Sequence, residues 1–304
     1  MPELPEVQTT VNGINHKLRG QKILDVWTDY GGIIHKNKSH IKNHQYFKKF
    51  RENILGRKIL SATRRGKNVL IHISDGFTML IHMKMTGHLL YGKYKKLKTK
   101  TKDTWKAVGA GPLKDDPYNQ FIHLVFSLSS GKHLTLSDVR KFAKVCILKT
   151  ENLEETEFRD LGPEPLDKSL KLQIFKQRLK KRPDSRVKQA LMDQRIIAGV
   201  GNIYSDEILW ASNVHPLRTV SKLSGTEFKG IWDNMRRILK RGIRFRGDSL
   251  SDYRNLDGKK GAFQYEHKAY QKTGKSCSKI GCRGKIERIV IGGRSAHFCP
   301  SHQA

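Results

Sequence analysis

The chain has 304 residues and carries 59 Lys and Arg against 28 Asp and Glu, a formal net charge of +31. No run approaches the about 18 consecutive apolar residues of a membrane span, and the N-terminus lacks the charged and then apolar pattern of a signal peptide. We therefore expect an intracellular protein without membrane spans. The excess positive charge recurs along the whole chain and predicts a nucleic-acid partner. An anionic membrane or a merely solvated, highly charged surface is the alternative.

The first six residues, from Met1 to Glu6, place Pro2 beside a carboxylate at the start of the chain. Removal of Met1 would expose Pro2 as a secondary amine, with Glu3 within reach as an acid or base. An α-amino group has a pKa of about 8 and is partly unprotonated at neutral pH, so it can form a covalent Schiff base with a carbonyl-like carbon. Proline is also favoured in the first turn of a helix, and the segment alone fits either interpretation.

Apolar residues at helical spacing follow, and the pattern ends at Gly20, which predicts a helix. Next come short β-rich runs, separated by turn signals such as Asp75-Gly76, and they indicate an antiparallel sandwich or barrel. The runs are Ile23 to Trp27, Asn68 to Ile73, Phe77 to Met83, Phe121 to Leu128 and His133 to Leu136. The Lys-rich stretch from Tyr91 to Tyr118 is predicted to be a long, mobile loop, with non-specific phosphate contacts as the alternative role. Cys146 is expected to be a small buried hydrophobic residue.

The composition changes after residue 150, where acidic residues gather before a Gly-Pro-Glu-Pro run at 162–165 that indicates a linker. Beyond it the apolar period is helical, with a capping-box pattern at Ser224 and Glu227. The run from Leu191 to Glu207 joins two helical patterns through a Gly-x-Gly-Asn turn. A helix that begins there offers free amides and the Asn202 side chain to a phosphate. The second half is therefore predicted to be helical and to contact phosphate.

Cysteines and a histidine cluster near the C-terminus, within short β-like segments. The proposed metal ligands are Cys277, Cys282, Cys299 and His302. Three thiolates and one imidazole suit a tetrahedral zinc ion. Because the protein fills all four positions, the zinc would be structural and would fold this small region. His297 is the alternative fourth ligand, but the two residues between Cys299 and His302 fit a zinc knuckle better.

These features together resemble the formamidopyrimidine-DNA glycosylase and endonuclease VIII family of base-excision repair enzymes, over nearly the entire chain. Besides the first six residues, the matching segments are Arg64–Lys67, His82–Gly87, Asp138–Phe142, Leu191–Glu207 and Arg294–Pro300. The resemblance implies an α+β fold with an N-terminal antiparallel β-sandwich, a flanking N-terminal helix, and a C-terminal helix-two-turn-helix domain with a β-hairpin zinc finger. The expected boundaries are 1–149 for the catalytic β-sandwich, 150–166 for a linker, 167–264 for the helix-two-turn-helix domain with a lesion-capping loop, and 265–304 for the zinc finger.

By this resemblance, Pro2 is the nucleophile that attacks C1′ of a damaged nucleotide, and Glu3 handles protons at the sugar. Lys67 and Arg294 complete the implied catalytic set. The implied DNA-binding residues are His82, Met85, His123, Arg140, Phe142 and Asn202. Three of them, Met85, Arg140 and Phe142, would form a wedge that fills the space left by the extruded nucleotide. Without the resemblance, Met85 and Phe142 would be interpreted as core residues.

The wedge residues and the segment from Gly247 to Gln264 are similar to the branch of the family that acts on oxidised purines. The implied activity is excision of 8-oxoguanine and formamidopyrimidines through a Schiff base on Pro2, followed by β,δ-elimination that cleaves the strand. The alternatives are an endonuclease VIII-like enzyme on oxidised pyrimidines and a catalytically silent, zinc-containing DNA-binding protein. The implied partner is damaged double-stranded DNA, bound by a monomer with one structural Zn2+, no small-molecule cofactor, and a cytoplasmic, nucleoid-associated location.

Several residues depart from the family pattern. His302 stands where the family usually has Cys, and imidazole still suits zinc. Val139 and Lys141 replace a typical Pro and Arg in the wedge loop, which we expect to loosen that loop and to remove a bidentate fork. Residues 271–272 replace a common Gly-Arg, and the Lys-rich stretch from Tyr91 to Tyr118 has no counterpart in compact members.

Overall fold

The computed structural model describes residues 1–31, 39–98 and 103–303. The chain divides into two compact units, of which the first comprises 1–159 with 246–262 and the second 160–245 with 263–304. Both helices and antiparallel strands are present, as the predicted α+β class requires. Among the described residues, no helix combines the length and the apolar character that a membrane span needs.

The first unit is a two-sheet β-sandwich. Its helices are α1 (Leu4–Lys17), α2 (His44–Ile54), α3 (Pro112–Asp115) and α4 (Leu153–Thr156). Its strands are β1 (Ile23–Thr28), β2 (Ile59–Arg65), β3 (Asn68–Ile73), β4 (Phe77–His82), β5 (His88–Gly92), β6 (Tyr94–Leu97), β7 (Thr104–Ala107), β8 (Ile122–Leu128), β9 (His133–Ser137) and β10 (Lys144–Lys149). One antiparallel sheet has the order β1-β8-β9-β5 and the other β10-β4-β3-β2. The predicted antiparallel sandwich is confirmed.

Both sheets and α1 contribute to one hydrophobic core. Alternate residues of β3, namely Val69, Ile71 and Ile73, enter it, as the period of two in a strand requires. The residues predicted at helical spacing in α1 are all buried there: Val7, Val11, Ile14 and Leu18. Asn15 of α1 exchanges two hydrogen bonds with the backbone of Ala62 in the edge strand β2, at 2.8 and 2.6 Å. Helix α1 is therefore held in a fixed position on the sandwich.

The Lys-rich stretch from Tyr91 to Tyr118 is largely ordered secondary structure, so the prediction of a long loop was wrong for its described residues. Strands β6 and β7 pair in an antiparallel hairpin, followed by α3. The hairpin is anchored by Trp105, whose ring lies 6.2 Å from that of Trp27 and 5.1 Å from that of His133. The loop prediction gave more weight to the high lysine content of the stretch than to these aromatic contacts. Residues 99–102 of the stretch lie outside the described residues.

The second unit is helical and ends in a small β-hairpin. Its helices are α5 (Leu172–Lys180), α6 (Val187–Met192), α7 (Asn202–Ala211) and α8 (Gly225–Arg244), and its strands are β11 (Glu287–Ile291) and β12 (Arg294–Phe298). The predicted capping box of α8 is confirmed, because the Glu227 amide donates to Ser224 Oγ at 3.2 Å and the Ser224 amide to Glu227 at 2.6 Å. Helices α6 and α7 flank the predicted Gly-x-Gly-Asn turn.

Two boundaries differ from the expected ones. The predicted linker over 150–166 contains α4, and the units divide between Arg159 and Asp160. Residues 246–262 were expected with the helical domain, but they cluster with the first unit. The physical reason is direct bonding to the sandwich, since the Tyr91 amide donates to the Leu256 carbonyl at 2.7 Å and Leu256 enters the core.

Candidate active site and metal centre

The start of α1 holds the two residues expected to carry the chemistry. Pro2 is buried, and Glu3 is the N-cap of the helix with 2% exposure. Glu3 and Glu6 form a reciprocal capping box, in which the Glu3 amide donates to Glu6 Oε2 at 2.7 Å. The other oxygen of Glu6 accepts from the Asp248 amide at 2.7 Å. The first two residues after Met1 are thus fixed by the helix start, which satisfies orphan backbone donors.

Lys67 lies in the tight turn between β2 and β3, next to Gly66, which adopts a positive φ of 57°. Its side chain is largely buried, at 6% exposure. Arg64 fixes this turn to α1, because it donates to the Gln8 side chain at 3.1 Å and to the Gly66 carbonyl at 3.0 Å. The turn that carries Lys67 and the helix that carries Pro2 are therefore joined through one guanidinium.

His82 ends β4 opposite Asn68, the residue after Lys67. Burial, with smaller effects of the Lys84 and Lys67 charges, lowers the pKa of His82 to about 3. The Lys84 amide donates to His82 Nδ1 at 2.9 Å, so the proton of the neutral ring resides on Nε2. His82 is thus a neutral donor, which can bind a phosphate oxygen by a hydrogen bond without carrying a charge.

We expect the first unit to lose stability as the pH falls from about 6.5 to about 4. Burial also lowers the pKa of His88 to about 4, and His88 is fully buried. An unfolded histidine binds a proton below about 6.5, whereas the folded one excludes it down to its depressed pKa, so acid favours the unfolded chain. The unfolding temperature measured from pH 7 to pH 4 should fall less steeply for a His88→Gln variant. Equal slopes for the two proteins would contradict the assignment.

The three predicted wedge residues contact each other at the surface of the first unit. Met85 is 40% exposed and Phe142 48% exposed, so neither is a core residue. The Arg140 guanidinium donates to the Met85 sulfur at 3.1 Å and lies 4.5 Å from the Phe142 ring centre. An exposed cluster of a thioether, a guanidinium and an aromatic ring can stack against bases.

The turn beneath these residues is organised by Asp138, which is completely buried. Its carboxylate accepts from the Thr86 hydroxyl, from the Ala143 amide at 2.9 Å and from the Tyr30 hydroxyl at 3.0 Å. The Arg140 amide in turn donates to the Thr86 hydroxyl at 3.1 Å. These bonds surround Val139, which stands where the family pattern has a proline.

His123, expected to bind DNA, is paired with an acid in the first unit. Its Nδ1 lies 2.8 Å from Asp29, which also contacts the Lys141 ammonium at 3.3 Å. The side chain of His123 is 14% exposed. A DNA contact of His123 remains a prediction.

Asn202 and Arg294 belong to the second unit. Asn202 is the first residue of α7 after the N-cap Gly201, and its Oδ1 atom is buried without a hydrogen-bond partner among the described residues. Arg294 begins β12 after the turn at Gly292 and Gly293, which both adopt positive φ, and its side chain is exposed. A buried polar atom at a helix start and an exposed guanidinium are both suited to a phosphate.

The predicted metal ligands converge. The ligand atoms of Cys277, Cys282, Cys299 and His302 all lie within 4.8 Å of one another. His302 Nε2 lies 3.2 Å from the Trp210 carbonyl and donates to it, which leaves Nδ1 for a metal, as second-shell bonds of ligating histidines usually do. His297, the alternative ligand, is not part of this converging group of the described residues, and its Nδ1 is bound instead to Asp206 at 2.8 Å. These residues fit a metal ion held tetrahedrally by three sulfur atoms and one nitrogen.

A buried ion pair beneath the hairpin was missed by the sequence analysis. Lys188 and Asp206 are both buried, and the Lys188 ammonium lies 2.5 Å from Asp206 Oδ1. Asp206 Oδ2 accepts from the His297 amide at 3.0 Å as well as from its ring. The network thus links α6, α7 and β12. Its three members are far apart in sequence, and no local pattern marks them as partners.

We expect a Lys188→Met substitution to destabilise the second unit by about 3 to 5 kcal/mol, because it leaves the buried Asp206 carboxylate without its cation. The measurement is chemical denaturation followed by circular dichroism. Lys229→Met is the matched control, since Lys229 and Asp233 are also 2.5 Å apart but exposed, and such a pair contributes about 0.5 kcal/mol. A loss of stability that is no larger for Lys188→Met than for this control would contradict the prediction.

Comparison with known proteins gives one consistent result. The model of the formamidopyrimidine-DNA glycosylase N-terminal domain matches residues 1–145, and that of the formamidopyrimidine-DNA glycosylase H2TH domain matches residues 161–254. The formamidopyrimidine-DNA glycosylase of Desulforamulus reducens is 33% identical, with 100% of this chain and 99% of the relative covered. That of Streptococcus mutans is 35% identical with the same coverage.

Solved structures of a Lactococcus lactis protein are similar over the same length. Its complex with abasic-site DNA has a TM-score of 0.81 at 28% identity, and 99% of each chain is covered. A variant in complex with Fapy-dG-containing DNA has a TM-score of 0.82 at 29% identity, with 99% of each chain covered. The similarity therefore extends through both units.

Proposed function

Because the chain belongs to the formamidopyrimidine-DNA glycosylase family, we propose that it is a DNA glycosylase of base-excision repair that excises oxidised purines and then cleaves the strand. The observation that carries this proposal is the arrangement of the first unit. Pro2 and Glu3 lie on a capped helix start that Arg64 joins to the Lys67 turn, in the same unit as the exposed wedge residues.

In the proposed reaction, the unprotonated Pro2 nitrogen forms a bond to C1′ while the bond from C1′ to the base breaks, and the base leaves with that electron pair and gains a proton. Opening of the sugar ring then gives an iminium between the nitrogen and C1′. The iminium acidifies the neighbouring hydrogens, so two successive proton losses expel the 3′ and the 5′ phosphates. Water finally hydrolyses the iminium and releases the Pro2 amine. Glu3 is assigned the proton transfers at the sugar.

The remaining residues are proposed to hold the nucleotide for this reaction. Lys67 and Arg294 supply charge, and His82 and Asn202 supply neutral polar groups, to the phosphates that flank the lesion. Extrusion of the damaged nucleotide leaves a gap in the stack, which the wedge residues are proposed to fill. Support comes from the exposure of Met85 and Phe142 and from their shared contacts with Arg140.

We propose that the cluster of three cysteines and His302 holds one structural Zn2+. All four positions are filled by protein groups, so the ion would stabilise residues 265–304 without taking part in the reaction. The proposed partner is damaged duplex DNA, which suits the net charge of +31, bound by a monomer in the cytoplasm near the nucleoid.

The test is borohydride trapping on a duplex that contains one 8-oxoguanine opposite cytosine. A covalent protein–DNA adduct with strand cleavage is expected, and an undamaged duplex should give neither. An adduct only with an oxidised pyrimidine would replace the proposed substrate by that class. Tight binding to DNA without an adduct on any lesion would indicate a silent binding protein and would overturn the proposal.

A further inference from the structure

Residues 109–120, which include the end of the Lys-rich stretch and the two residues after it, bond directly to segment 246–262 within the first unit. The Arg254 guanidinium is 2% exposed, and its Nε donates to Asp116 Oδ2 at 2.6 Å. Arg254 Nη1 donates to the carbonyls of Ser251 and Tyr253, both at 2.8 Å. Asp116 therefore neutralises a buried cation that organises the middle of segment 246–262. Removal of one member of such a pair is costly because the other charge remains buried.

Asn119 makes a second connection to the same segment. It is 1% exposed, and its amide nitrogen donates to the Pro112 carbonyl at 2.7 Å and to the Gly258 carbonyl at 3.0 Å. A Cβ at Gly258, whose φ is 74°, would lie 2.6 Å from this nitrogen. The approach is so close that only glycine fits at position 258.

The same asparagine is bonded to the strand that begins beside the wedge. Both Asn119 amide hydrogens are used, so Oδ1 accepts from His88 Nε2 at 3.0 Å. His88 is the first residue of β5 and is completely buried. It follows Thr86 and Gly87, and the Thr86 hydroxyl binds Asp138 and the Arg140 amide. Hydrogen bonds of the Asn119 and Thr86 side chains, together with the main chain from Thr86 to His88, thus connect the Gly258 carbonyl to the turns of Met85 and Arg140.

Two further bonds join this stretch to the other side of the wedge loop. The Ser137 hydroxyl donates to the Tyr118 carbonyl at 2.6 Å, and the Asp138 amide donates to the Phe121 carbonyl at 2.9 Å. Strands β5 and β9, which adjoin the turns of Met85 and Arg140, are therefore both bonded to residues 118–121. The two turns that carry Met85 and Arg140, called the wedge turns below, are therefore bonded to the same residues as segment 246–262.

Segment 246–262 also contacts the helix start that carries Pro2. The Asp248 amide donates to Glu6 Oε1 at 2.7 Å, and the Tyr253 hydroxyl donates to the Glu6 carbonyl at 3.0 Å. The base attached to the C1′ atom that Pro2 attacks must lie within a few bond lengths of Pro2. Segment 246–262 is therefore placed beside the base, and its position bears on which bases are accepted.

We propose that Asp116 and Asn119 are positioning residues for recognition of the damaged base. They act by holding segment 246–262 and the two wedge turns in one arrangement. This inference rests on the proposed function. Preorganised contacts avoid the entropic cost of ordering a segment when the substrate binds. At an abasic site there is no base to recognise, so these contacts are not needed. The attack of Pro2 on the C1′ atom is the same for both substrates.

The experiment compares two substrates, a duplex with 8-oxoguanine and a duplex with a preformed abasic site. For Asp116→Asn, the single-turnover rate of 8-oxoguanine excision is expected to fall by about 10- to 100-fold, the size typical of small misplacements. Strand cleavage at the abasic site is expected to stay within about 2-fold, because that reaction does not depend on base recognition. Arg254→Lys, which keeps the charge but loses the guanidinium fork, should give an intermediate loss.

Asp103→Asn is the matched control, because it breaks the ion pair of Asp103 with Lys96 in the same stretch, and among the described residues Asp103 has no bond to segment 246–262. Both activities should remain at the level of the unchanged protein. Equal losses of excision and abasic-site cleavage in Asp116→Asn, or no loss of either, would overturn the proposal.

Hydrogen exchange of the free protein gives an independent measurement. The amides of segment 246–262 should exchange faster in Asp116→Asn than in the Asp103→Asn control, while those of β3 and β4 stay unchanged. Unchanged exchange in the segment would also overturn the proposal. If the unchanged protein excises no base, the proposed function fails, and the exchange result still reports on the connection itself.

Discussion

A Pro2→Gly substitution is expected to abolish the borohydride-trapped adduct and to lower strand cleavage at 8-oxoguanine by about 100-fold or more. The proline ring closes on its own nitrogen and thereby fixes the direction of the secondary amine, whereas glycine offers a primary amine that rotates freely. Misplacement of a nucleophile by about 1 Å already costs about 100-fold. The measurement is single-turnover cleavage together with gel detection of the adduct, after mass spectrometry has shown that Met1 is absent.

Two further proteins make this result specific to the nitrogen of Pro2. An N-terminal extension by one residue keeps the proline ring and turns its nitrogen into an amide, so no adduct should form. Pro5→Ala alters the proline of the first helical turn and should leave cleavage within about 3-fold, since alanine is a good helix former. An adduct of normal yield from the extended protein would show that another amine, such as that of Lys67, is the nucleophile.

The order of elements was readable from the sequence wherever a local period determined it. The apolar spacing of α1, the β-rich run from Asn68 to Ile73 and the capping box at Ser224 are all features of neighbouring residues, and all appear in the structure. The convergence of the three cysteines and His302 was also predicted, because thiolates and imidazoles at knuckle spacing are typical of metal sites. These parts of the fold need no knowledge of distant contacts.

The contacts between distant residues were not readable. Asp206 binds both Lys188 and His297, and Asp116 binds Arg254. These residues are too far apart in sequence for a helical or strand period to relate them. The Lys-rich stretch was wrongly predicted as a loop because its charge outweighed a few anchors such as Trp105. The sequence alone therefore does not identify the residues that position the site, because their partners become neighbours only in the folded protein.

The wedge shows how a resemblance and a structure differ in what they supply. Composition favoured core positions for Met85 and Phe142, and only motif matches argued otherwise. The structure exposes both side chains, and Arg140 donates to the sulfur and lies over the ring. Buried Asp138 binds three groups around the loop in which Val139 replaces the family proline, and a looser loop stays a prediction.

Removal of the proposed Zn2+ is expected to unfold residues 265–304 and to weaken binding to duplex DNA by at least about 10-fold. A two-stranded hairpin such as β11 with β12 is marginal alone in water, and structural zinc contributes about 10 to 16 kcal/mol to small zinc domains. The loss should follow from a chelator or from Cys282→Ser. Circular dichroism, limited proteolysis and the DNA dissociation constant are the measurements, with metal content determined by mass spectrometry.

Cys146→Ala is the matched control for Cys282→Ser, because Cys146 is a buried thiol of β10 outside the cluster. It should retain one zinc per chain and normal DNA affinity. His302→Cys should also retain zinc, since a thiolate replaces the imidazole, whereas His302→Ala should not. Retention of zinc by His302→Ala together with its loss in His297→Ala would contradict the ligand assignment. Full DNA affinity of the metal-free protein would show instead that the hairpin folds on its contacts with α7 alone.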